Sequence, residues 1–313
     1  MNFKKIFTKV NESRRQKMIF RVGCNGGLFS EINCMIFAIL YCPEHKLKFE
    51  LTDVNANFAD WSEKPWEEFF IPFLKINRDK IHAKYNQRWK VAFDRKYDFL
   101  HLAFYKFMHN VKYFTQDIID EIVIYYAKEK IVIPELGGGM EGYMHKSVAE
   151  MVWQFKPQVQ QELNEVMAKI GLPSRYVSIQ LRRGDKVTLE SQICPPAEKF
   201  MEHLRKISPC KDVLLLCDDY KDVKYLRSNY PDYNFYTICQ PDEQGYMNDQ
   251  FYASKKEVKR RKIVDLLSTV DHIIRGELFI GTRVANPSIF IKMIMPKEKF
   301  FFIEDLLQKS KLD

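Results

Sequence analysis

The chain has 313 residues and a formal net charge of +8, a length that suits one large or two ordinary domains and a charge that suits an anionic partner. Hydrophobic residues make up 46% and charged residues 29%, so disordered, collagen-like and coiled-coil classes are excluded. The longest apolar run, Cys34 to Cys42, is far shorter than the roughly 20 residues of a membrane-spanning helix. Seven cysteines form no CxxC pair and no secretory signal is visible, which predicts a cytoplasmic protein without a zinc ribbon.

The N-terminal half begins with the pattern of an α/β unit. Met18 to Val22 is a candidate strand, Gly23 to Gly27 a turn, and a helix follows with Ser30 as its predicted cap. Lys48 to Val54 alternates like a second strand, and the stretch from Arg78 to Lys130 is mostly helical. A long helix is predicted over residues 147–170, bent or broken near Pro157.

The C-terminal half alternates strands with helices. Because several strands are apolar on both faces, the pattern predicts a parallel sheet covered on both sides. The predicted strands are Tyr176–Leu181, Asp212–Cys217, Tyr233–Ile238 and Leu278–Gly281, and the predicted helices include Pro196–Ile207 and Lys256–Ile274. We place the domain boundary near Gly171–Ser174, which gives domains 1–173 and 174–313.

A cluster of charged residues, Arg182 to Lys186, directly follows the first strand of the second domain. Ligands of parallel sheets bind outside the carboxyl ends of the strands, and paired guanidinium groups bind diphosphate oxygens well. A surface salt-bridge cluster is the alternative for such a run of charges.

The segment from Val177 to Glu190 resembles the donor-site motif of the α-1,6-fucosyltransferase family, which reads apolar-x-apolar-His-x-Arg-Arg-Thr-Asp-Lys-Val-x-x-Glu. That family includes the enzymes that core-fucosylate N-glycans and bacterial nodulation-factor fucosyltransferases. Further similar segments follow the family's order along the chain: Gly26–Ser30, Asn55–Trp61, Trp153–Pro157, Cys217–Asp219 and Asn229–Tyr233.

The resemblance implies an α/β, GT-B-like fold of two Rossmann-type domains facing a cleft, with acceptor binding in the first domain and donor binding in the second. It also implies transfer of fucose from GDP-fucose with inversion, no metal or other cofactor, and Glu190 as general base beside Lys186 and Arg182. The donor-binding residues that it implies are Arg182, Arg183, Asp185, Gln180, Gly26, Gly27, Asp218, Asp219, Asp265, Asp271, Thr282 and Asn286. On the acceptor side it implies Asn55, Phe58 and Trp61.

The sequence departs from the family pattern at two positions of the motif. Gln180 replaces the family's histidine and Gly184 its threonine, which bears on donor identity more than on reaction type. Asp265 and Asp271 both fit the guanine-side aspartate.

Other features keep two interpretations. Asp218 and Asp219 are interpreted as ribose-binding or loop-capping groups, with a metal site as the alternative. The basic run Lys255–Lys262 is a solvated helix face, or a phosphate- or membrane-surface contact. The aromatic residues from Trp61 to Phe73 line a sugar cleft or form a hydrophobic cluster.

The partners expected are a GDP-sugar and a glycan or glycolipid acceptor, with possible membrane-surface contact and no nucleic acid. The alternatives are a transferase of the same fold that uses another nucleotide sugar, and a non-catalytic basic protein that binds glycan or nucleic acid.

Overall fold

The computed structural model describes residues 3–89, 96–124, 131–137, 144–191 and 194–309. Contacts divide the chain into two compact units, Met1–Lys156 and Pro157–Asp313. This division falls one helix before the boundary expected near Gly171–Ser174. The reason is that helix Pro157–Lys169 packs along helix Lys256–Arg275, where Arg260 makes a two-pronged ion pair with Glu162 at 2.6 and 2.7 Å.

The first unit contains a parallel three-stranded sheet with the order β2-β1-β3. Its strands are β1 (Lys17–Arg21), β2 (Lys48–Thr52) and β3 (Val111–Phe114). Its helices are α1 (Phe3–Glu12), α2 (Leu28–Glu44), α3 (Ile81–Tyr85), α4 (Lys96–Met108), α5 (Thr115–Ile124) and α6 (Met144–Val152).

Two local predictions for the N-terminal half need correction, and a third is confirmed. Strand β3 lies inside the stretch predicted as mostly helical, because four residues are too few to interrupt a helical pattern visibly. The break expected near Pro157 in the helix predicted over 147–170 is confirmed: α6 ends at Val152, and Pro157 is the first residue of the next helix, where a proline costs no hydrogen bond. The cap of α2 is Gly27, and Ser30 lies within the helix.

The second unit contains a parallel five-stranded sheet with the order β6-β5-β4-β7-β8, which is the 3-2-1-4-5 order of Rossmann-type sheets. Its strands are β4 (Val177–Leu181), β5 (Asp212–Cys217), β6 (Asn234–Tyr236), β7 (Phe279–Gly281) and β8 (Phe300–Phe302). Its helices are α7 (Pro157–Lys169), α8 (Asp185–Thr188), α9 (Ala197–Ile207), α10 (Tyr220–Asn229), α11 (Asn248–Ala253), α12 (Lys256–Arg275), α13 (Asn286–Ile294) and α14 (Ile303–Lys309).

The helices of the second unit cover both faces of the sheet. Alternate residues of β4, namely Val177, Ile179 and Leu181, pack in one core with α9, α10 and α14. The opposite face carries α12, which packs against α7, α13 and β5. The predicted α/β class with parallel, doubly covered strands is confirmed, and the charged turn after β4 lies at the carboxyl edge of the sheet. In the described part of the chain, every helix is too short or too polar to cross a bilayer.

Candidate functional site

Arg182, the first residue after β4, is held from three sides at the carboxyl edge of the second unit's sheet. Its guanidinium pairs with the carboxylates of Asp218, after β5, and Asp185, and lies 5.2 Å from the ring centroid of Tyr246. Only 13% of its side chain is exposed. The strand end therefore presents a fixed, partly desolvated guanidinium.

Arg183 points toward the start of α10. Its Nε lies 3.0 Å from Asp222 Oδ2, and its Nη1 donates to the carbonyl oxygens of Arg182 and Pro195 at 3.2 Å. Its backbone N–H donates to Asp218 Oδ1 at 2.8 Å. The two arginines thus diverge, each toward its own acidic partner.

Gly184 allows a loop to close over this turn. Its φ is +54°, and a Cβ there would overlap backbone atoms of Tyr246, while one on Gly245 would overlap Gly184 itself. We call residues 243–247 the 243–247 loop. It is tied down by N–H bonds from Gly245 to the Asp218 carbonyl (2.6 Å), from Tyr246 to Asp218 Oδ2 (3.0 Å) and from Asp185 to the Tyr246 carbonyl (3.0 Å).

The sequence did not identify this loop as part of the site. The signal available was Gly245, a glycine in the polar connection after β6, together with glycine in place of the family's threonine at position 184. Those two glycines pack backbone against backbone, so the departure from the family pattern is what makes room for the loop.

Lys186 and Glu190 form an ion pair one turn beyond the arginines. Lys186 Nζ lies 2.7 and 2.6 Å from the two Glu190 carboxylate oxygens, and the Glu190 N–H donates to the Asp185 carbonyl. The Glu190 side chain is 45% exposed. An exposed carboxylate at this edge is accessible to an incoming hydroxyl group.

The carboxylates of this cluster outnumber its cations. Arg182, Arg183 and Lys186 are met by Asp185, Asp218, Asp222 and Glu190, one more formal negative charge than positive. Burial raises the pKa of Asp185 and of Asp222 above the ordinary value, against the opposing effect of the arginine beside each. An anion that binds here competes with these carboxylates for the arginines.

The two adjacent aspartates after β5 have separate structural contacts. Asp218 connects the arginine turn to the 243–247 loop. Asp219 is the N-cap of α10 and accepts from the Lys221 N–H at 2.9 Å. Of the interpretations left open, loop capping matches these contacts. In the described part of the chain, no three His, Cys, Asp or Glu side chains are arranged to hold a metal.

Gln180 lies inside the fold, so its side chain is not exposed toward a donor. It is 2% exposed, and its side-chain oxygen accepts from Ser288 Oγ on α13. Ser288 Oγ also accepts from the Thr282 N–H at 3.1 Å, and Thr282 Oγ1 donates to Glu304 at 2.5 Å. Thr282 therefore belongs to a buried polar chain under the turn after β7. Asn286 is partly exposed at the start of α13, close by.

Asp265 and Asp271 lie at different heights on α12. Burial raises the pKa of Asp265 to about 6, and the charge of Glu243 contributes. Three residues before Asp265, Lys262 Nζ lies 3.7 Å from Glu243 Oε1 of the 243–247 loop. Asp271 pairs with Arg275 and accepts from Gln160 on α7 at 3.1 Å, at the end of the helix that contacts Tyr176 before β4. Only Asp265 is on the side of the candidate site.

The glycine turn of the first unit has its amide donors occupied. Glu31, buried on α2, accepts from the N–H groups of Gly23 (3.1 Å) and Gly26 (2.8 Å), and Arg88 Nη1 lies 2.9 Å from its Oε1. Gly27 is the N-cap of α2. A carboxylate of the chain itself thus occupies the amides of Gly23 and Gly26, and donor binding by Gly26 and Gly27 stays a prediction.

The three predicted acceptor-side residues differ in exposure. Phe58 is 1% exposed, and Asn55 is an exposed turn residue with φ +52°. Trp61 is partly exposed. The nearby aromatic residues form a hydrophobic cluster, in which Trp66 and Phe70 stack at 4.4 Å. Phe58 is therefore a core residue, because the turn after β2 directs it beneath Gly23.

No protein-family model and no curated protein matches the sequence. Solved structures match the fold. The alpha-1,6-fucosyltransferase NodZ soaked with GDP-fucose superposes with a TM-score of 0.51 at 10% identity, over 90% of this chain and 93% of that one. The fucosyltransferase NodZ from Bradyrhizobium gives a TM-score of 0.51 at 10% identity, over 90% and 94%. The α/β fold with parallel sheets that the resemblance implied is thus confirmed: this chain shares the fold of these fucosyltransferase structures.

Proposed function

We propose that this chain is an inverting glycosyltransferase that moves fucose from GDP-fucose to a hydroxyl group of a glycan or glycolipid. The observation that carries the proposal is the turn after β4. There Arg182, Arg183, Lys186 and Glu190 stand in the order of the family motif, at the sheet edge where parallel α/β domains bind ligands. The same fold in a structure soaked with GDP-fucose supports the choice of donor.

In the proposed reaction, Glu190 accepts the proton of the acceptor hydroxyl. The hydroxyl oxygen forms a bond to the anomeric carbon as the bond from that carbon to the β-phosphate oxygen breaks, and GDP leaves with the electron pair. Arg182 stabilises the negative charge that develops on the phosphate, which a fixed guanidinium does without reorganisation. Glu190 must release an oxygen from Lys186 to take the proton, so Lys186 holds the base in place before the step.

Donor binding involves a change of partner at Arg182. The guanidinium is shared between Asp218 and Asp185. The Asp218 carboxylate also accepts from the N–H groups of Arg183 and Tyr246, whereas burial raises the pKa of Asp185. The diphosphate therefore replaces Asp185 more readily than Asp218, and Asp185 takes up a proton as it is displaced.

A transferase of the same fold with another nucleotide sugar is the second candidate. It is favoured by the two departures from the motif, since Gln180 is turned inward to Ser288 and Gly184 is covered by the 243–247 loop.

Thermal unfolding with GDP, GDP-fucose, GDP-mannose and UDP-glucose tests both candidates. A ligand at a hundredfold excess over its Kd stabilises the folded state by about 2.7 kcal/mol. We expect this stabilisation with GDP and with GDP-fucose. In an activity assay, we expect transfer of a sugar to water or to an acceptor from GDP-fucose alone. Equal stabilisation by UDP-glucose would exclude a GDP-specific site.

A matched pair of variants ties the effect to the turn. Arg182→Lys keeps the charge but loses the planar fork, and should weaken GDP binding about 10–100-fold, the usual range for a hydrogen bond to a charged group. The control is Arg175→Lys. Arg175 is an exposed residue just before β4 whose side chain pairs with Glu277, and this variant should bind GDP like the wild type. Equal GDP affinity in both variants would remove Arg182 from the donor site.

A further inference from the structure

Helix α4 of the first unit turns an apolar surface outward. Its inner face packs through Leu102 and Tyr105 against β1 and β3. The opposite side is a continuous strip at helical spacing, which we call the apolar arc, and its large side chains are 54 to 82% exposed. The apolar arc consists of Tyr97, Leu100, Phe104, Phe107 and Met108.

The acidic side chains near α4 are directed away from the apolar arc. Asp98 accepts from Lys84 Nζ at 2.9 Å and from the Tyr85 hydroxyl at 2.6 Å, and Asp117 accepts from Lys106 Nζ at 2.6 Å. The other exposed residues within Tyr97–Met108 are Phe99, His101 and Ala103. An uncharged, aromatic helix face of this extent is rare on a protein surface with no binding role.

Basic residues adjoin the C-terminal end of the apolar arc. Asn110, two residues after Met108, donates from Nδ2 to the Arg15 carbonyl at 3.0 Å, and the Lys17 N–H donates to the Asn110 carbonyl at 2.9 Å. Arg15 and Lys112 are both exposed there. Aromatic residues next to cations are the combination by which a helix lies in the headgroup region of an anionic bilayer.

We propose that the apolar arc of α4 docks on an anionic lipid bilayer surface, with Arg15 and Lys112 at the level of the phosphate headgroups. Charge decides between this occupant and a second copy of the chain. A second copy would bring further basic groups to a chain whose net charge is already +8, whereas anionic lipids complement both the basic end and the net charge. The proposal does not depend on the proposed transferase activity.

Sedimentation of the full chain with lipid vesicles tests it. We expect binding to vesicles of phosphatidylcholine mixed with phosphatidylglycerol, weaker binding to pure phosphatidylcholine, and release by salt. The double variant Phe104→Ser with Phe107→Ser should lower the partition coefficient about tenfold or more, since each exposed aromatic ring contributes through the area that it buries. Arg15→Glu with Lys112→Glu should lower binding to the anionic vesicles alone.

A matched control is Ile71→Ser with Val132→Ser, which removes two exposed apolar side chains of the same unit away from α4. It should bind like the wild type, and the thermal midpoints of all variants should agree. Equal vesicle binding by the arc variant and the wild type overturns the proposal, as does wild-type protein that binds neither vesicle. A lipid-free dimer that the arc variant dissociates overturns it too, because a second copy would then be the occupant.

Discussion

The turns after β1 and after β4 occupy the same position in their sheets and have opposite chemistry. Each follows the central strand of a parallel sheet and contains glycine. In the first unit, Glu31 closes the turn by accepting from the N–H groups of Gly23 and Gly26. In the second unit, the side chains of Arg182 and Arg183 extend from the turn to two carboxylates, Asp218 after β5 and Asp222 on α10.

This difference predicts that the second turn, rather than the first, binds an anion. In the first turn a buried carboxylate already accepts from backbone amides that would bind a phosphate. The second turn supplies side-chain cations, and burial raises the pKa of Asp185, one of the carboxylates that pair with them. Topology alone, therefore, does not say which of two equivalent strand ends binds a ligand.

The largest effect expected is on turnover at the second turn. Glu190→Gln keeps the size of the side chain but cannot accept a proton, so kcat should fall about 10²–10⁴-fold with GDP affinity unchanged. Transfer rates and calorimetry with GDP measure the two quantities. Glu202→Gln is the control, because Glu202 pairs with Lys199 on the exposed face of α9. Near wild-type turnover would direct the search for the base to Asp185.

The next largest effect is the loss of stability when a side chain is added at Gly184, in the turn after β4. Gly184→Ala adds a Cβ at φ +54° that overlaps the Tyr246 backbone, and should lower the free energy of unfolding by about 3 kcal/mol or more. Gly171→Ala isolates the backbone conformation, since φ is +68° with open space around it, and should cost about 1–2 kcal/mol.

Gly26→Ala completes the comparison in the first unit. Its Cβ would meet the Arg88 and Glu31 side chains, which give way more easily than backbone. Urea unfolding of the three variants should rank Gly184→Ala as the most damaging. A Gly184→Ala variant no less stable than Gly171→Ala would mean that the 243–247 loop does not press on the turn.

A smaller effect is expected in the pH dependence of GDP binding. As pH falls, protonation of Asp185 releases Arg182, so affinity should rise relative to a variant that lacks this carboxylate, by less than about tenfold. The phosphate groups of GDP titrate in the same way with both proteins. The difference in pH dependence of GDP affinity between the wild type and Asp185→Asn therefore reports the contribution of Asp185. Calorimetry in two buffers of different ionisation enthalpy measures the proton uptake. Parallel pH profiles would exclude the exchange of partners at Arg182.

The smallest effect on nucleotide binding is expected at the first turn. Glu31→Gln should cost about 1–3 kcal/mol of stability, because it weakens a buried charged contact to Arg88 and two amides. GDP affinity should not change. Tighter GDP binding by this variant would show that Glu31 blocks a phosphate site. The two turns would then differ only in that the Glu31 carboxylate occupies the first one.

Local patterns were enough to predict the elements around the site. The apolar runs of β4 and β5 and the helical periodicity of α12 depend on neighbours in sequence, and they appear where they were predicted. The short strand β3 was missed because its pairing with β1, rather than local preference, fixes it. The helix break near Pro157 was predicted, because it is a local effect of proline.

The alternating α/β order, the arginine turn after β4 and the pairing of Lys186 with Glu190 could be predicted from the amino-acid sequence, because each rests on periodicity or on residues within one turn of each other. The packing of the folded chain was needed to show that Gln180 and Phe58 face inward, that Glu31 fills the first glycine turn, and that Gly245 and Tyr246 cover Gly184. The last two arrangements depend on where a charge or a distant backbone segment comes to rest once strands and helices pack. A carboxylate eight residues away and a loop 61 residues away (245 − 184) meet these turns through folding alone.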